Sequence, residues 1–312
     1  KKGKIEPGCE VIVPTKVKAR GVTPGAPASY IKELVKDRDF TIKGYKLNGE
    51  SVDSPVDIGT YTVTIEGTGN YIGTQDVSYE IIKAYALKIN GTQLNAKNID
   101  DFYGNGTVKF TPATETEPTN TLTLNGASVT GTIESGLGNL TIKLIESNTI
   151  QGNGSSLITS LNGGTLTFDS DGTTISLLEF KDASGNVFPN DPISGFAEVK
   201  YGWAEYVESE GSKKVCSWDI EILKNGTSYR IYDGNKDHIL GEGDESVKYS
   251  HDATNGHVIT LNNAEVNCIW TDIHADITIA LNGTNRVIDT GVTYAIYSNN
   301  GKINIVKAEG DD

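Results

Sequence analysis

The 312-residue sequence contains no methionine, four histidines, four arginines and three cysteines. Without methionine the chain does not start at an initiator residue, as expected of a chain whose leader has been removed or of a piece of a longer protein. Cys9, Cys216 and Cys268 are odd in number and fit no zinc spacing. They read as isolated thiols, with a Cys216–Cys268 disulfide as the alternative. No apolar run approaches the roughly 20 residues of a membrane-spanning helix, so no membrane insertion is expected. Cationic excess is missing too: 27 Lys+Arg stand against 41 Asp+Glu, a net charge of −14, whereas a nucleic-acid footprint needs clustered Lys and Arg.

These shortages also bear on catalysis. His238, His251 and His257 lie in loop-like stretches and His274 at a turn, none near a Gly-x-Ser-x-Gly motif, so all four read as exposed loop residues. Acidic pairs are inevitable among 41 carboxylates and identify no glycosidase. A lyase using Arg or Lys as base would meet its polyanionic substrate with a repelling chain. The sequence is therefore read as non-enzymatic.

What is present is 35 glycines, with conspicuous Thr and Asn, which favours turn-rich β-structure. Hydrophobic residues at 37% and charged residues at 22% describe folded, globular protein, and the length suggests two or three domains.

The most informative feature is a self-match. Thr121-Leu-Thr-Leu-Asn-Gly-Ala-Ser-Val129 aligns with Val258-Ile-Thr-Leu-Asn-Asn-Ala-Glu-Val266, and Asn139-Leu-Thr-Ile-Lys-Leu144 with Asp276-Ile-Thr-Ile-Ala-Leu281. Asn148 falls on Asn285 and Gly164 on Gly301, all at one offset of 137 residues. Upstream, Val108-Lys-Phe110 matches Val247-Lys-Tyr249 at 139, so the Thr111–Asn120 loop is two residues longer in the first copy. A fixed self-match marks duplicated architecture. The second copy ends before the first copy's full length is reached, so it reads as truncated or short.

Within each copy the pattern has period two. Leu122 and Leu124, then Leu140, Ile142 and Leu144, then Leu166 and Phe168 alternate with polar residues, and Asn-Gly, Gly-Asn or Asp-Gly closes each run. The spacing predicts stacked strands of a short β-solenoid, with an antiparallel meander as rival; Asn125, Asn148, Asn262 and Asn285 are placed at its corners. Nearer the start, Tyr61, Val63 and Ile65, a Gly-rich turn, then Val77, Tyr79 and Ile81 predict a hairpin of a β-sandwich. Ser29–Phe40 has helix-forming residues, but the adjoining Thr41-Ile-Lys-Gly-Tyr45 predicts a strand after a loop. The fold expected is all-β: a sandwich over 1–83, a first solenoid module over 84–225 with an aromatic insert at 186–225, and a second module over 226–312.

Residues 55–82 carry Gly-Thr-Tyr-Thr-Val-Thr-Ile-x-Gly-x-Gly-Asn-Tyr-x-Gly-Thr and resemble the closing strands of bacterial immunoglobulin-like domains, found in tandem on cell-surface proteins. Asp39-Phe40-Thr41 resembles that family's middle strand. Residues 85–180 and 229–312, with Leu-Thr-Leu-Asn-Gly-Ala-x-Val and Asn-Leu-Thr-Ile-x-Leu, resemble repeat modules of large secreted proteins of gut anaerobes. Some of those are similar to a β-helical family described as carbohydrate-binding. The resemblance implies extracellular work at the bacterial cell surface, with a glycan or a host or cell-surface protein as partner. It implies no catalytic residue, because the matched positions are core and turn positions.

Two groups of side chains carry candidate chemistry. Tyr201, Trp203, Tyr206 and Trp218 cluster in the insert, and the first three lie at nearly alternating positions. Aromatic rings cover the apolar faces of sugars, so these four are the candidate glycan contacts; the competing role is packing between the two copies. Asp233-Gly-Asn-Lys-Asp237 has calcium-loop character, which makes Asp233, Asn235 and Asp237 the candidate metal ligands, with Asp244 and Glu245 following. Against that, the repeat sets Asp233-Gly234-Asn235 opposite Asn90-Gly91-Thr92, a plain turn. Asp169-x-Asp171-Gly172 is a weaker turn of the same kind. The functional expectation is adhesion or glycan binding without catalysis; a structural stalk presenting another domain is the alternative.

Overall fold

The computed structural model describes residues 9–12, 19–21, 32–69, 71–170, 176–209, 211–232, 235–252, 256–273, 275–288, 294–299 and 301–308. The described chain is all-β, with strands from Cys9–Ile12 to Ile303–Lys307 and no helix among the described residues. It divides into two compact units, one of Lys1–Leu87 with Gln93–Ile99 and one of Lys88–Thr92 with Asp100–Asp312.

The first unit is antiparallel. Phe40–Leu47 pairs with Glu50–Val52 and Gly59–Gly67, and Gly59–Gly67 pairs with Thr74–Ile89. The register sets Tyr61 opposite Tyr79 and Val63 opposite Val77, the hairpin the alternation predicts. Tyr61, Val63, Ile81 and Phe40 are buried. The Tyr61 hydroxyl accepts the Asp57 N–H at 2.9 Å and donates to the Asp57 carbonyl at 3.0 Å, so this buried phenol is satisfied by its own chain. Asn48 and Gly49, at φ 50° and 91°, form a tight hairpin turn that needs left-handed backbone at both positions.

The second unit is built mainly of parallel ladders. Thr121–Asn125, Asn139–Ile145, Thr165–Ser170 and Glu198–Tyr201 pair successively in parallel. So do Ser128–Thr130, Ser147–Gly152 and Leu177–Asp182, and likewise Ile133–Ser135, Ile158–Ser160 and Ile193–Ser194. In sequence order the chain visits the three ladders in turn, three times. Leu122, Ile142 and Phe168 thereby stack in one buried row, with Leu124 beside Leu144 in the next. Each CH₂ so removed from water contributes about 0.8 kcal/mol.

The repeat recurs in three dimensions. Gly256–Asn262, Ile277–Asn282 and Ile303–Lys307 form the second copy's first ladder. In each copy that ladder starts with an antiparallel strand, Val108–Thr111 in one and Val247–Asp252 in the other. The second copy's core also holds Trp218, Ile220 and Ile222, because Ile220–Lys224 pairs with Cys268–Thr271. Its first structural element therefore lies upstream of residue 226. Asn225 and Gly226, at φ 51° and 79°, turn this hairpin as Asn90 and Gly91, at 48° and 71°, turn theirs. The counterpart of Asn90-Gly91-Thr92 is thus Asn225-Gly226-Thr227, not Asp233-Gly234-Asn235.

Candidate functional site

The aromatic insert does not present one row. Glu198–Tyr201 ends at Tyr201, and the chain bends at Gly202 before Ala204–Ser209 begins. Gly202 N–H donates to the Phe168 carbonyl at 2.8 Å, and Trp203 N–H to Asp169 Oδ1 at 3.0 Å. A Cβ on residue 202 would meet the Asp169 carboxylate, so glycine makes this bend possible. The bend breaks the alternation that would have set Tyr201, Trp203 and Tyr206 on one strand face.

Each ring then packs against a different neighbour. Tyr201 stacks on buried Phe168, centroids 5.8 Å apart and planes 13° apart. Tyr206 tilts over Phe180 at 6.5 Å, and its hydroxyl donates to Glu208 Oε2 at 3.1 Å. Burial and then that carboxylate raise the Tyr206 phenol well above its ordinary range. Trp203 lies 5.4 Å from Trp218 and 5.3 Å from Tyr249, against the second copy's core. Trp218 is 6% exposed.

Two histidines complete that cluster. His251 and His257 face each other across the Val247–Asp252/Gly256–Asn262 ladder, and the Trp218 ring lies 4.5 Å from both. Strands, rather than loops, hold these two residues. His251 is exposed, but His257 is 5% exposed and its Nδ1 lies 2.6 Å from the Tyr249 hydroxyl. Burial, aided by His251, lowers the His257 pKa to about 4, so the imidazole is neutral at pH 7. The first copy has Phe110 and Asn120 where the second has Tyr249 and His257, so this cluster is not a property of the repeat. Nearby, the Arg230 guanidinium pairs with Asp219 at 3.1 Å, and burial raises the Asp219 pKa despite that cation.

The calcium expectation fares differently at each residue. Asp233 lies outside the described residues. Asn235 is engaged in its own turn: Oδ1 accepts Tyr232 N–H at 2.9 Å and Nδ2 donates to Arg230 O at 2.8 Å. Asn98, 137 residues earlier, does the same with Asn95 N–H at 2.7 Å and Gln93 O at 3.2 Å. Asn235 is thus the repeat's turn-closing asparagine. Asp237 is exposed. Among the described residues no group of three or more His, Cys, Asp or Glu side chains is placed to hold a metal ion. Cys216 and Cys268 are not joined in a disulfide. Burial, then Glu205, pushes the Cys216 thiol up to about 11, which leaves it unreactive at pH 7.

One concave feature adjoins the insert. Leu177–Asp182 pairs with Ser212–Ser217 only from Leu177↔Cys216 to Glu179↔Lys214, and the strands then diverge. The opening is a groove of about 550 Å³ lined by Glu179, Phe180, Lys181, Asn186, Ser212 and Lys213. Lys213 Nζ donates to the Asn190 carbonyl at 2.9 Å and faces Glu208 at 3.3 Å; Lys181 faces Glu179 at 2.8 Å. Sequence reasoning missed this groove, because a strand divergence leaves no motif. Among the described residues no helix is long and apolar enough to cross a membrane. No family model, curated protein or solved structure matches the chain.

Proposed function

We propose that the chain is a non-catalytic spacer of an extracellular bacterial cell-surface protein, with an immunoglobulin-like sandwich preceding two short β-solenoid modules. The Tyr61 hydroxyl bonded to Asp57, four residues upstream, supports the first assignment, since a tyrosine at a strand corner is a hallmark of such sandwiches. Three parallel ladders visited in turn support the second. One observation carries the spacer reading: Trp218, with Trp203 against it, is packed into the second copy's core rather than offered to a ligand.

Adhesion by glycan binding is a second reading, and the groove lined by Glu179, Lys181, Asn186, Ser212 and Lys213 favours it. Its charged and amide side chains suit the hydroxyls of a saccharide. The deciding experiment is a glycan array with the intact chain, with and without calcium, beside Lys213→Ala and Trp203→Ala variants. The spacer reading expects no glycan to be retained. Retention abolished in Lys213→Ala and kept in Trp203→Ala would overturn it in favour of binding at the groove.

A further inference from the structure

In the second copy Thr227–Arg230, Ile220–Lys224, Cys268–Thr271 and Ile296–Ser298 form one four-stranded sheet. Ile222, Ile269 and Ile296 lie opposite one another on its inner face; the first two are buried in the core and Ile296 packs against it. Side chains alternate along a strand, so the neighbouring positions point outward. There the register sets Arg230, Glu221, Trp270 and Tyr297 in one row across all four strands. Glu221, Trp270 and Tyr297 are half-buried. Tyr294 stacks on Tyr297, centroids 5.4 Å and planes 20° apart, and is 58% exposed. The Tyr297 hydroxyl donates to Asn299 Oδ1 at 3.1 Å, and Asn299 Nδ2 donates to Asp272 Oδ1 at 3.0 Å, which holds the ring in place.

The repeat itself does not require these rings. In the first copy the equivalent strands, Ile133–Ser135, Ile158–Ser160 and Ile193–Ser194, set Glu134, Thr159 and Ser194 at the outward positions. All three are half-buried too, so this face stays open where a third parallel strand extends the sheet. A strand added beside Tyr297 would likewise lengthen the row and not cover it. Trp270 and Tyr297 thus stand where the fold accepts a carboxylate and a hydroxyl.

The charges beside the rings are mostly negative. Glu221 lies directly across from Trp270, and Asp272 N–H donates to the Asp219 carbonyl at 2.8 Å. Burial raises the Asp219 pKa, Arg230 lowers it, and Glu221 and Asp272 raise it again, so these four charges act on one another. Three carboxylates stand there against one guanidinium. The face of an aromatic ring attracts a cation, indole most strongly, and an adjacent carboxylate adds to that attraction. An arginine side chain answers both, because its planar guanidinium stacks on a ring while its N–H groups pair with a carboxylate.

We propose that Glu221, Trp270, Tyr297 and Tyr294 form a docking face for an arginine-bearing basic peptide segment of a partner protein, with the guanidinium over the rings and Glu221 as its counter-ion. The proposal goes beyond the spacer reading and does not depend on it, and an uncharged glycan is not its ligand.

The test titrates a fluorescent peptide of alternating arginine and glycine with the intact chain at fixed ionic strength. Binding is read by anisotropy, and the urea midpoint of each variant is measured beside it. The expected result is saturable binding, weakened at least about fivefold in Trp270→Leu and in Glu221→Gln, about 1 kcal/mol each. Glu221→Gln keeps an acceptor for the Ser228 hydroxyl, which donates to Glu221 Oε2 at 2.6 Å, so its loss of binding is not a loss of fold. Glu134→Gln, at the outward row of the first copy, leaves binding unchanged, and a peptide with lysine for arginine binds more weakly. Absence of binding by the folded parent, or equal binding by Trp270→Leu, overturns the proposal. Equal weakening by Glu134→Gln also overturns it, because the charge of the whole chain is then the attraction. So does binding of maltohexaose that Trp270→Leu abolishes while the arginine peptide stays unbound, because a saccharide is then the occupant.

Discussion

Asn148 closes a corner with both ends of its carboxamide. Its Oδ1 accepts the Ala127 N–H at 2.8 Å, and its Nδ2 donates to the carbonyls of Ile145, Glu146 and Leu177. Asn285 repeats the arrangement on Ala264, Asn282 and Gly283. Asn148 is buried, whereas Asn285 is half-buried. Removing a buried partner leaves the other groups without water, at a cost of about 1–3 kcal/mol. Asn148→Ala should therefore lower the urea midpoint clearly, and Asn285→Ala should lower it less; the reverse order would sink this account. His257 sets a second expectation at this scale. Its folded pKa of about 4 lies below the ordinary 6.5, so between those values the unfolded chain binds more protons. Its contribution is present in full above pH 6.5 and is lost as pH falls toward 4, about 3 kcal/mol in all. Asp219, with its raised pKa, opposes this slope. His257→Gln keeps an acceptor for the Tyr249 hydroxyl and should flatten the fall in urea midpoint between pH 6.5 and 4.5. Identical slopes in variant and parent would remove His257 as the cause.

At the scale of elements, the ladders rely on close backbone approach at two equivalent glycines. A methyl on Gly164 would run into the carbonyl oxygens of Gly138 and Leu137, and one on Gly301 into that of Ala275. Neither clash involves a flexible side chain, so the strands themselves must shift. Gly164→Ala should cost about 1–3 kcal/mol, the usual penalty of overpacking, and Gly301→Ala should be destabilising too. An unchanged thermal midpoint in both variants would mean that the ladders slide without cost. Much of this level is legible beforehand. The alternation at Leu122–Leu124 and Leu140–Leu144 and the Gly164/Gly301 match mark strands and repeat directly. Ile133–Ser135 and Ile158–Ser160 are three residues each, too short for period two to register, so the third ladder leaves no trace. His257 was hidden because a polar residue at a strand's start looks like loop, and the first copy has Asn120 there. The insert misled because alternation assumes a continuous strand, whereas Gly202 bends the chain between Tyr201 and Trp203.

For the molecule as a whole, the placement of the second copy's start decides which piece of chain holds a core. The self-match read from the sequence alone starts that copy at residue 226. The matching Asn-Gly-Thr at Asn90 and Asn225 moves its first strand back to Ile220–Lys224. Trp218, Ile220 and Ile222 are buried in the second copy's core, and Ile220–Leu223 pairs with Cys268–Thr271. Burying an isoleucine contributes about 1.5–3 kcal/mol, and a whole domain is stable by only about 5–15 kcal/mol. Loss of these three side chains together with their strand therefore removes most of the margin. A fragment of residues 217–312 should give a β-type circular dichroism spectrum and a cooperative urea transition. A fragment of residues 226–312 should give neither. Trp203 is missing from both, so the comparison isolates the hairpin at Ile220–Arg230. Cooperative unfolding of the shorter fragment at the same midpoint would show that Trp218 and its strand belong to the first copy's stability instead.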